Sequence, residues 1–263
     1  MASPKAIRSL LAACAIVALS TRAFHAAEES QSPAQDSARV PVLVELFTSE
    51  GCSDCPPADR LLEELDTKQP IPGAQAIVLS EHVTYWNHLG WRDPFSLDEI
   101  DQRQNEYGGR FHLDSVYTPQ AVIDGAAQLV GNNGSGLAQA VEHAASAAKK
   151  PITIGDAHWD NGAVIFTVHG PSDSGLKLVA VLAADATGAK IERGENAGRT
   201  LHHVAVVRTI KDFGSSGTDG RSLRLSGGSL AHDSSNTPTR LIVFLAEKKT
   251  GHVTAVSEQT LTR

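Results

Sequence analysis

The sequence predicts an α/β domain followed by an all-β, sandwich-like domain. Between residues 40 and 150, strand-like apolar segments alternate with helix-like segments, which indicates a sheet covered by helices. From Pro151 onward the pattern changes to short strand candidates with turn signals, such as Asp-Asn-Gly at 160–162, and no strong helical periodicity. We therefore expect two domains, at residues 40–150 and 151–263.

The first domain opens with a buried strand and a helix. Val40–Phe47 is an apolar run interrupted only by Pro41 and Glu45, as is typical of a buried strand. Pro56–Asp66 has leucines at helical spacing, and its prolines are confined to the first turn, where a helix tolerates them. Further strands are predicted at Ala74–Val83 and Ala121–Asp124, and further helices at Phe95–Tyr107 and Leu137–Lys149.

The second domain consists of strand candidates alone. Their short lengths and even spacing favour an antiparallel sandwich. They lie at Ile152–Trp159, Ala163–His169, Leu176–Asp185, Thr200–Lys211, Leu223–Leu225, Arg240–Glu247 and His252–Glu258.

Residues 1–27 have the features of a secretory signal peptide. A positively charged start precedes the apolar run Leu10–Leu19, which is too short for a membrane span of about 20 residues. A lipoprotein signal is the weaker alternative, because Cys14 lies inside the apolar run. Residues 28–39 are polar and form a linker. We expect a periplasmic or secreted protein with no stable membrane span after signal cleavage.

Composition and charge exclude several classes of protein. With 41% hydrophobic and 20% charged residues, the chain is neither disordered nor fibrous. The net charge of −7 comes without a basic stripe, so no nucleic-acid partner is expected. Beyond the signal peptide, Cys52 and Cys55 are the only cysteines. In an oxidising compartment, an isolated Cys-x-x-Cys pair is either a redox device or half of a metal site.

The order strand, turn, Cys52-Ser53-Asp54-Cys55, helix favours redox chemistry. At a helix N-terminus, unpaired N–H groups and the helix dipole stabilise a thiolate and lower the pKa of the thiol. Cys52 would attack a disulfide, and Cys55 would resolve the mixed disulfide. The Asp54 carboxylate opposes a thiolate at Cys52, so we expect a middling reduction potential rather than that of a strong oxidant.

The segment Val42–Leu65, followed by Tyr117-Thr118-Pro119-Gln120, resembles the thioredoxin superfamily. The resemblance implies a thioredoxin-like fold for residues 40–150. It also implies that Pro119 follows a cis peptide bond and shapes the substrate groove beside the cysteines. Glu45 matches a buried acid of that superfamily and would relay a proton to or from Cys55.

Three further segments, at 82–86, 90–93 and 194–200, resemble a family of uncharacterised secreted bacterial proteins. Members of that family join a thioredoxin-like domain to a β-rich C-terminal part. The resemblance covers most of residues 40–263, and it carries no substrate over to this chain.

Aromatic and histidine side chains crowd the region after the second strand. His82, Tyr85 and Trp86, together with Thr118, would wall a substrate groove beside Cys52. The alternative is that these aromatic side chains form a small core. A zinc or copper site made of His82 or His88 and both thiolates is a further alternative, but this spacing is not a known ligand pattern. We therefore predict no metal and no cofactor.

The sequence thus predicts an exported thiol–disulfide oxidoreductase. Its catalytic residues would be Cys52, Cys55, Pro119 and Glu45. Its substrates would be protein thiols or disulfides, and a redox partner protein would restore the pair. The alternative is a non-catalytic binding protein that presents a groove to a protein ligand or holds copper or zinc on the cysteine pair.

Overall fold

The computed structural model describes residues 39–187, 190–215, 220–232 and 237–262. These residues belong to one compact unit. The predicted signal peptide and nearly all of the predicted linker lie outside the described residues. No helix in the described ranges is long and apolar enough to cross a membrane.

The described residues form eleven strands and three α-helices. The strands are β1 (Val40–Thr48), β2 (Ala74–His82), β3 (Gln120–Ile123), β4 (Ala127–Val130), β5 (Thr153–Asp160), β6 (Ala163–His169), β7 (Leu176–Thr187), β8 (His202–Asp212), β9 (Arg221–Ser226), β10 (Thr239–Glu247) and β11 (Val253–Leu261). The helices are α1 (Pro56–Lys68), α2 (Asp98–Arg110) and α3 (Gly134–Ala145).

Eight of these strands form a single mixed sheet in the order β11-β10-β7-β8-β2-β1-β3-β4. Strands β1, β2 and β8 run parallel to one another, and the remaining neighbours are antiparallel. The other three strands form a small antiparallel sheet in the order β5-β6-β9. Since β8 lies directly beside β2, the large sheet joins strands from both halves of the chain.

Strands β7 and β10 have both faces buried. Val181 and Phe244 point into the core shared with β1, β2 and the helices, whereas their neighbours Leu182 and Val243 point into a second core against the small sheet. Successive side chains of a strand alternate between faces, so a strand covered on both sides needs an unbroken apolar run. The sequence of β10, TRLIVFLAE, has such a run.

The predicted fold class, a thioredoxin-like α/β domain followed by an all-β sandwich, is wrong. The structure is mostly one large mixed sheet with three helices among the described residues, and no thioredoxin-like domain is indicated. The local pattern correctly indicated β1, α1 and β2. The local pattern did not indicate that the other edge of β2 would pair with β8, a strand more than 110 residues further along the chain.

We expect residues 37–150 to be unable to fold alone. Without β7, β8 and β10, the fragment would expose one edge of β2 and lose apolar side chains such as Val181, Val207 and Phe244 from its core. Such a fragment should give no near-ultraviolet circular dichroism and no cooperative urea transition, whereas residues 37–263 should give both. A cooperative transition of the short fragment would contradict this expectation.

Candidate functional site

The two cysteines form a disulfide in the turn between β1 and α1. Cys55 is the residue immediately before α1, and its carbonyl accepts hydrogen bonds from the N–H groups of Ala58 and Asp59 at 2.8 and 3.0 Å. Cys52 is 1% exposed and Cys55 is fully buried. The intervening Ser53 and Asp54 are exposed, so the turn reaches the surface while the disulfide lies beneath it.

A loop from the second half of the chain covers this turn. We call residues 191–199, which lie between β7 and β8, the capping loop. The buried Asn196 side chain donates hydrogen bonds to the carbonyls of Glu50 and Cys52 at 2.9 and 2.8 Å. The carboxylate of Glu195 accepts a hydrogen bond from Ser53 N–H at 3.1 Å. The capping loop is therefore attached to the cysteine turn through side chains.

Trp86 lies beside the cysteine turn and is bonded to Thr118. The Trp86 indole N–H donates to Thr118 Oγ1 at 2.8 Å, and the Thr118–Pro119 peptide bond is cis. A Cβ at Gly51 would lie 3.0 Å from Trp86 Cβ and 3.5 Å from the Trp86 carbonyl oxygen, so Trp86 packs against the residue preceding Cys52. Pro119 itself is buried.

Tyr85 lies near Trp86 and Thr118, whereas His82 occupies different surroundings. The Tyr85 hydroxyl donates to Gln104 Oε1 on α2 at 3.1 Å, and burial raises the pKa of Tyr85 to about 12. His82 is 1% exposed, and its Nδ1 lies 2.7 Å from Asp93 Oδ2. The buried His82 side chain therefore does not line an open groove.

His82 belongs to a group of five buried titratable residues beneath the cysteine turn, which we call the carboxylate–histidine cluster. Its members are Glu50, Asp59, His82, Asp93 and His203, each no more than 5% exposed. Asp93 Oδ2 also accepts the N–H of Glu50 at 2.8 Å. The His82 and His203 rings meet edge to face, with centroids 4.6 Å apart.

His203 lies between two carboxylates of the cluster. Its Nε2 is 3.8 Å from Glu50 Oε1, and its Nδ1 is 3.8 Å from Asp59 Oδ2. None of these four atoms has a hydrogen-bond partner within the described residues. The other oxygens are satisfied, since Glu50 Oε2 accepts from the Trp91 indole and Asp59 Oδ1 accepts from Thr48 Oγ1, both at 2.8 Å.

The pKa values in the cluster diverge. Burial opposes ionisation of Asp93, but His82 and the backbone N–H groups of Glu50 and Phe95 lower its pKa to about 2. Burial opposes the charge on His82, yet Asp93 and the other carboxylates raise its pKa above the usual value. Burial raises the pKa of Asp59, against the opposing effect of the histidines.

The structure places Glu45 on the opposite face of the sheet. Glu45 and Thr48 are three residues apart on β1, so their side chains point to opposite faces. Glu45 accepts hydrogen bonds from Tyr107 and Arg103 of α2, both at 2.6 Å, while Thr48 faces α1. Burial and the Glu45 carboxylate hold the pKa of the adjacent Glu81 well above its usual value. The structure therefore does not bring Glu45 together with the cysteine pair.

An open groove of about 530 Å³ runs beside the cysteine turn. Its lining residues come from the turn, from α1, from the end of the capping loop and from the two residues after it: Ser53, Pro56, Pro57, Arg60, Arg199, Thr200 and Leu201. Within the described ranges, no group of three or more His, Cys, Asp or Glu residues is arranged to hold a metal ion.

Residues 43–246 match the family described as "Protein of unknown function (DUF1223)". The chain belongs to this family. A similar solved structure is that of a protein from Agrobacterium tumefaciens, with 23% sequence identity and a TM-score of 0.61. The match covers 85% of this chain and 95% of that chain, and at this identity it shows the fold alone. No curated protein matches the chain.

These findings correct the resemblance to the thioredoxin superfamily, which is wrong. The DUF1223 match spans both halves of the chain, and the fold that goes with it is the large mixed sheet described above.

Sequence reasoning missed Glu50, Asp59 and His203 as members of a site. Asp59 precedes the leucines of α1, at a position where an acidic side chain is expected to be at the surface. His202 and His203 are adjacent in β8, where successive side chains point to opposite faces, and they are exposed and buried respectively. The segment Gly-Glu-Asn at 194–196, singled out by the sequence, contacts the cysteine turn through Glu195 and Asn196.

Because of Asp93, the free energy of unfolding should decrease as the pH falls into the acidic range. Its pKa is 3.8 when unfolded and about 2 when folded, so its contribution is present above about pH 4 and is lost as the pH falls towards 2. The contribution is on the order of 2 kcal/mol. Urea unfolding of Asp93→Asn should show a correspondingly smaller loss of stability between about pH 5 and pH 2 than the wild type. Asp114→Asn, at an exposed carboxyl, should behave like the wild type.

Asn196→Ala should loosen the capping loop. The substitution removes two hydrogen bonds to the carbonyls of Glu50 and Cys52, each worth about 1 kcal/mol. We expect reduction of the disulfide by a small phosphine to become about tenfold faster, as measured by alkylation and intact mass. Glu195→Gln, which changes an exposed contact of the same loop, should alter this rate less. Equal rates for wild type and Asn196→Ala would show that the loop does not limit access.

Proposed function

We propose that this protein is an exported thiol–disulfide oxidoreductase whose Cys52–Cys55 pair alternates between disulfide and dithiol. The observation that carries the proposal is the position of the disulfide: a Cys-x-x-Cys turn directly before the 13-residue helix α1. The first N–H groups of a helix lack partners within it, and they stabilise a thiolate formed beside them. An easily formed thiolate is the group that exchanges with disulfides.

Exchange requires the capping loop to move. Both cysteines are buried, whereas the groove lined by Ser53, Pro57 and Arg60 is open beside them. A substrate polypeptide would lie in this groove and reach Cys52 when Asn196 releases the Cys52 carbonyl. Protein thiols or disulfides are the proposed substrates, and a second redox protein would restore the pair. The signal-peptide features of residues 1–27 support export to the periplasm or beyond.

One observation favours the alternative, a binding protein with a structural disulfide. The pair is almost completely buried, and structural disulfides are protected from exchange in the same manner. However, a disulfide that closes so short a loop restricts the unfolded chain little, so it adds little stability. Reduction potential separates the two functions, because it measures how easily the pair opens.

The test is a redox titration of residues 28–263 in glutathione buffers, with alkylation of free thiols and intact mass as the readout. We expect a midpoint between about −270 and −120 mV, the range in which dedicated exchange proteins operate, and nearer its reducing end. The exposed Asp54 and the Glu195 carboxylate beside Ser53 oppose the build-up of a thiolate and so disfavour a strongly oxidising pair.

Cys52→Ser should abolish exchange with a peptide disulfide, while Ser53→Ala, which alters the exposed residue between the cysteines, should retain it. A midpoint below about −300 mV would identify a structural disulfide and overturn the proposal.

A further inference from the structure

The Cys55 thiolate needs a proton donor when the disulfide opens. When a substrate thiolate attacks Cys52, the Cys55 sulfur leaves as a thiolate. Cys55 is fully buried, and burial disfavours the charged form of a thiol. Water does not reach a buried sulfur freely, so a neighbouring side chain has to give the proton and take it back when the disulfide re-forms.

Asp59 lies one helical turn after Cys55. Its N–H donates to the Cys55 carbonyl at 3.0 Å, which is the helical spacing that stacks two side chains on one face. Both residues are buried, and no other acid of α1 is. Asp59 Oδ1 is held by Thr48 Oγ1, while Oδ2 has no hydrogen-bond partner in the described part of the chain.

Asp59 is the carboxyl group of the carboxylate–histidine cluster best placed to hold a proton for Cys55. Asp93 Oδ2 lies 2.7 Å from His82 Nδ1, and the Asp93 pKa is lowered to about 2. Burial instead raises the pKa of Asp59, and its Oδ2 has no hydrogen-bond partner in the described residues.

His203 prepares Asp59 for the opposite half of the cycle. Its Nδ1 faces the free Asp59 Oδ2 at 3.8 Å, and its Nε2 faces Glu50 Oε1 at the same distance. When Asp59 gives up its proton, the new carboxylate lies beside the His203 imidazole, which lowers the pKa of Asp59 against the effect of burial. A buried carboxylate without such a partner would be strongly disfavoured.

From this geometry we propose that Asp59, supported by His203, gives the proton to Cys55 and removes it during disulfide exchange. The proposal rests on the proposed function. In the reductive direction, a substrate thiolate bonds to Cys52 Sγ, the Cys52–Cys55 bond breaks, and Asp59 protonates the departing Cys55 thiolate. A second substrate thiolate then attacks the substrate sulfur of the mixed disulfide and releases Cys52 as a thiolate. Two substrate thiols are oxidised to one disulfide, and the cysteine pair is reduced.

The reverse direction isolates the step that Asp59 serves. The dithiol protein is mixed with an excess of an aromatic disulfide that releases a coloured thiolate. Cys52 releases the first equivalent, and Cys55 releases the second when it attacks the mixed disulfide. Both phases are followed in single-turnover mode between about pH 5 and pH 9.

In Asp59→Asn, we expect the second phase to slow by about a hundredfold and to lose its pH inflection, since general base assistance is typically worth that much or more. The first phase should change by less than about threefold. Glu81→Gln is the matched control, because it replaces a buried acid beside Arg103 on the other face of the sheet. Its two phases should follow those of the wild type.

Asp59→Glu and His203→Gln keep the test decisive if Asp59→Asn fails to fold. The glutamate variant should retain most of the second-phase rate, and the His203 variant should shift the pH at which that phase is half-maximal. A second phase that is unchanged in rate in Asp59→Asn, or unchanged in pH profile in His203→Gln, would overturn the role of Asp59. If the wild type itself releases no second equivalent, the proposed function fails instead.

Discussion

The position of β8 beside β2 is the constraint on which the candidate site depends. It carries His203 to the interior face of α1, and it fixes the chain that leads from β7 over the cysteine turn. Asn196 then fastens that chain to the carbonyls of Glu50 and Cys52. The second half of the molecule is therefore part of the site, since it supplies both the cover of the disulfide and one member of the buried cluster.

The two faces of the large sheet pair their buried carboxylates with different partners. On the α2 face, Arg103 lies against Glu45 and Tyr107, so a guanidinium offsets the Glu45 carboxylate. Both carboxyl oxygens of the neighbouring Glu81 have no hydrogen-bond partner among the described residues. On the α1 face the carboxylates lie beside the imidazoles of His82 and His203. Breaking a buried pair is usually costly, so both arrangements restrict which residues the fold accepts. The α1 face is also the one that adjoins the cysteine turn, because Cys55 directly precedes α1.

The sequence predicted those features whose cause is local. The apolar run of β1, the leucine spacing of α1 and the Cys-x-x-Cys turn between them all follow from neighbouring residues. Of the residues predicted for a groove, the structure places Trp86 beside Gly51 and in a hydrogen bond with Thr118, and it places His82 in the buried cluster. Glu45 shows the limit, since a buried acid on β1 is visible in the sequence, but the face it occupies depends on strand register. The pairing of β2 with β8 depends on contacts distant in sequence, which periodicity does not encode.

A buried disulfide can still react if the loop that covers it and the titratable residues beneath it are linked through a common residue. Glu50 links them: its carbonyl binds Asn196 of the capping loop, and its carboxylate faces His203 in the cluster. Movement of the loop away from Cys52 would therefore remove a hydrogen bond from the same residue whose carboxylate faces His203. Under the proposed function, this shared residue would couple access to the Cys52 sulfur to the proton transfer proposed for Asp59.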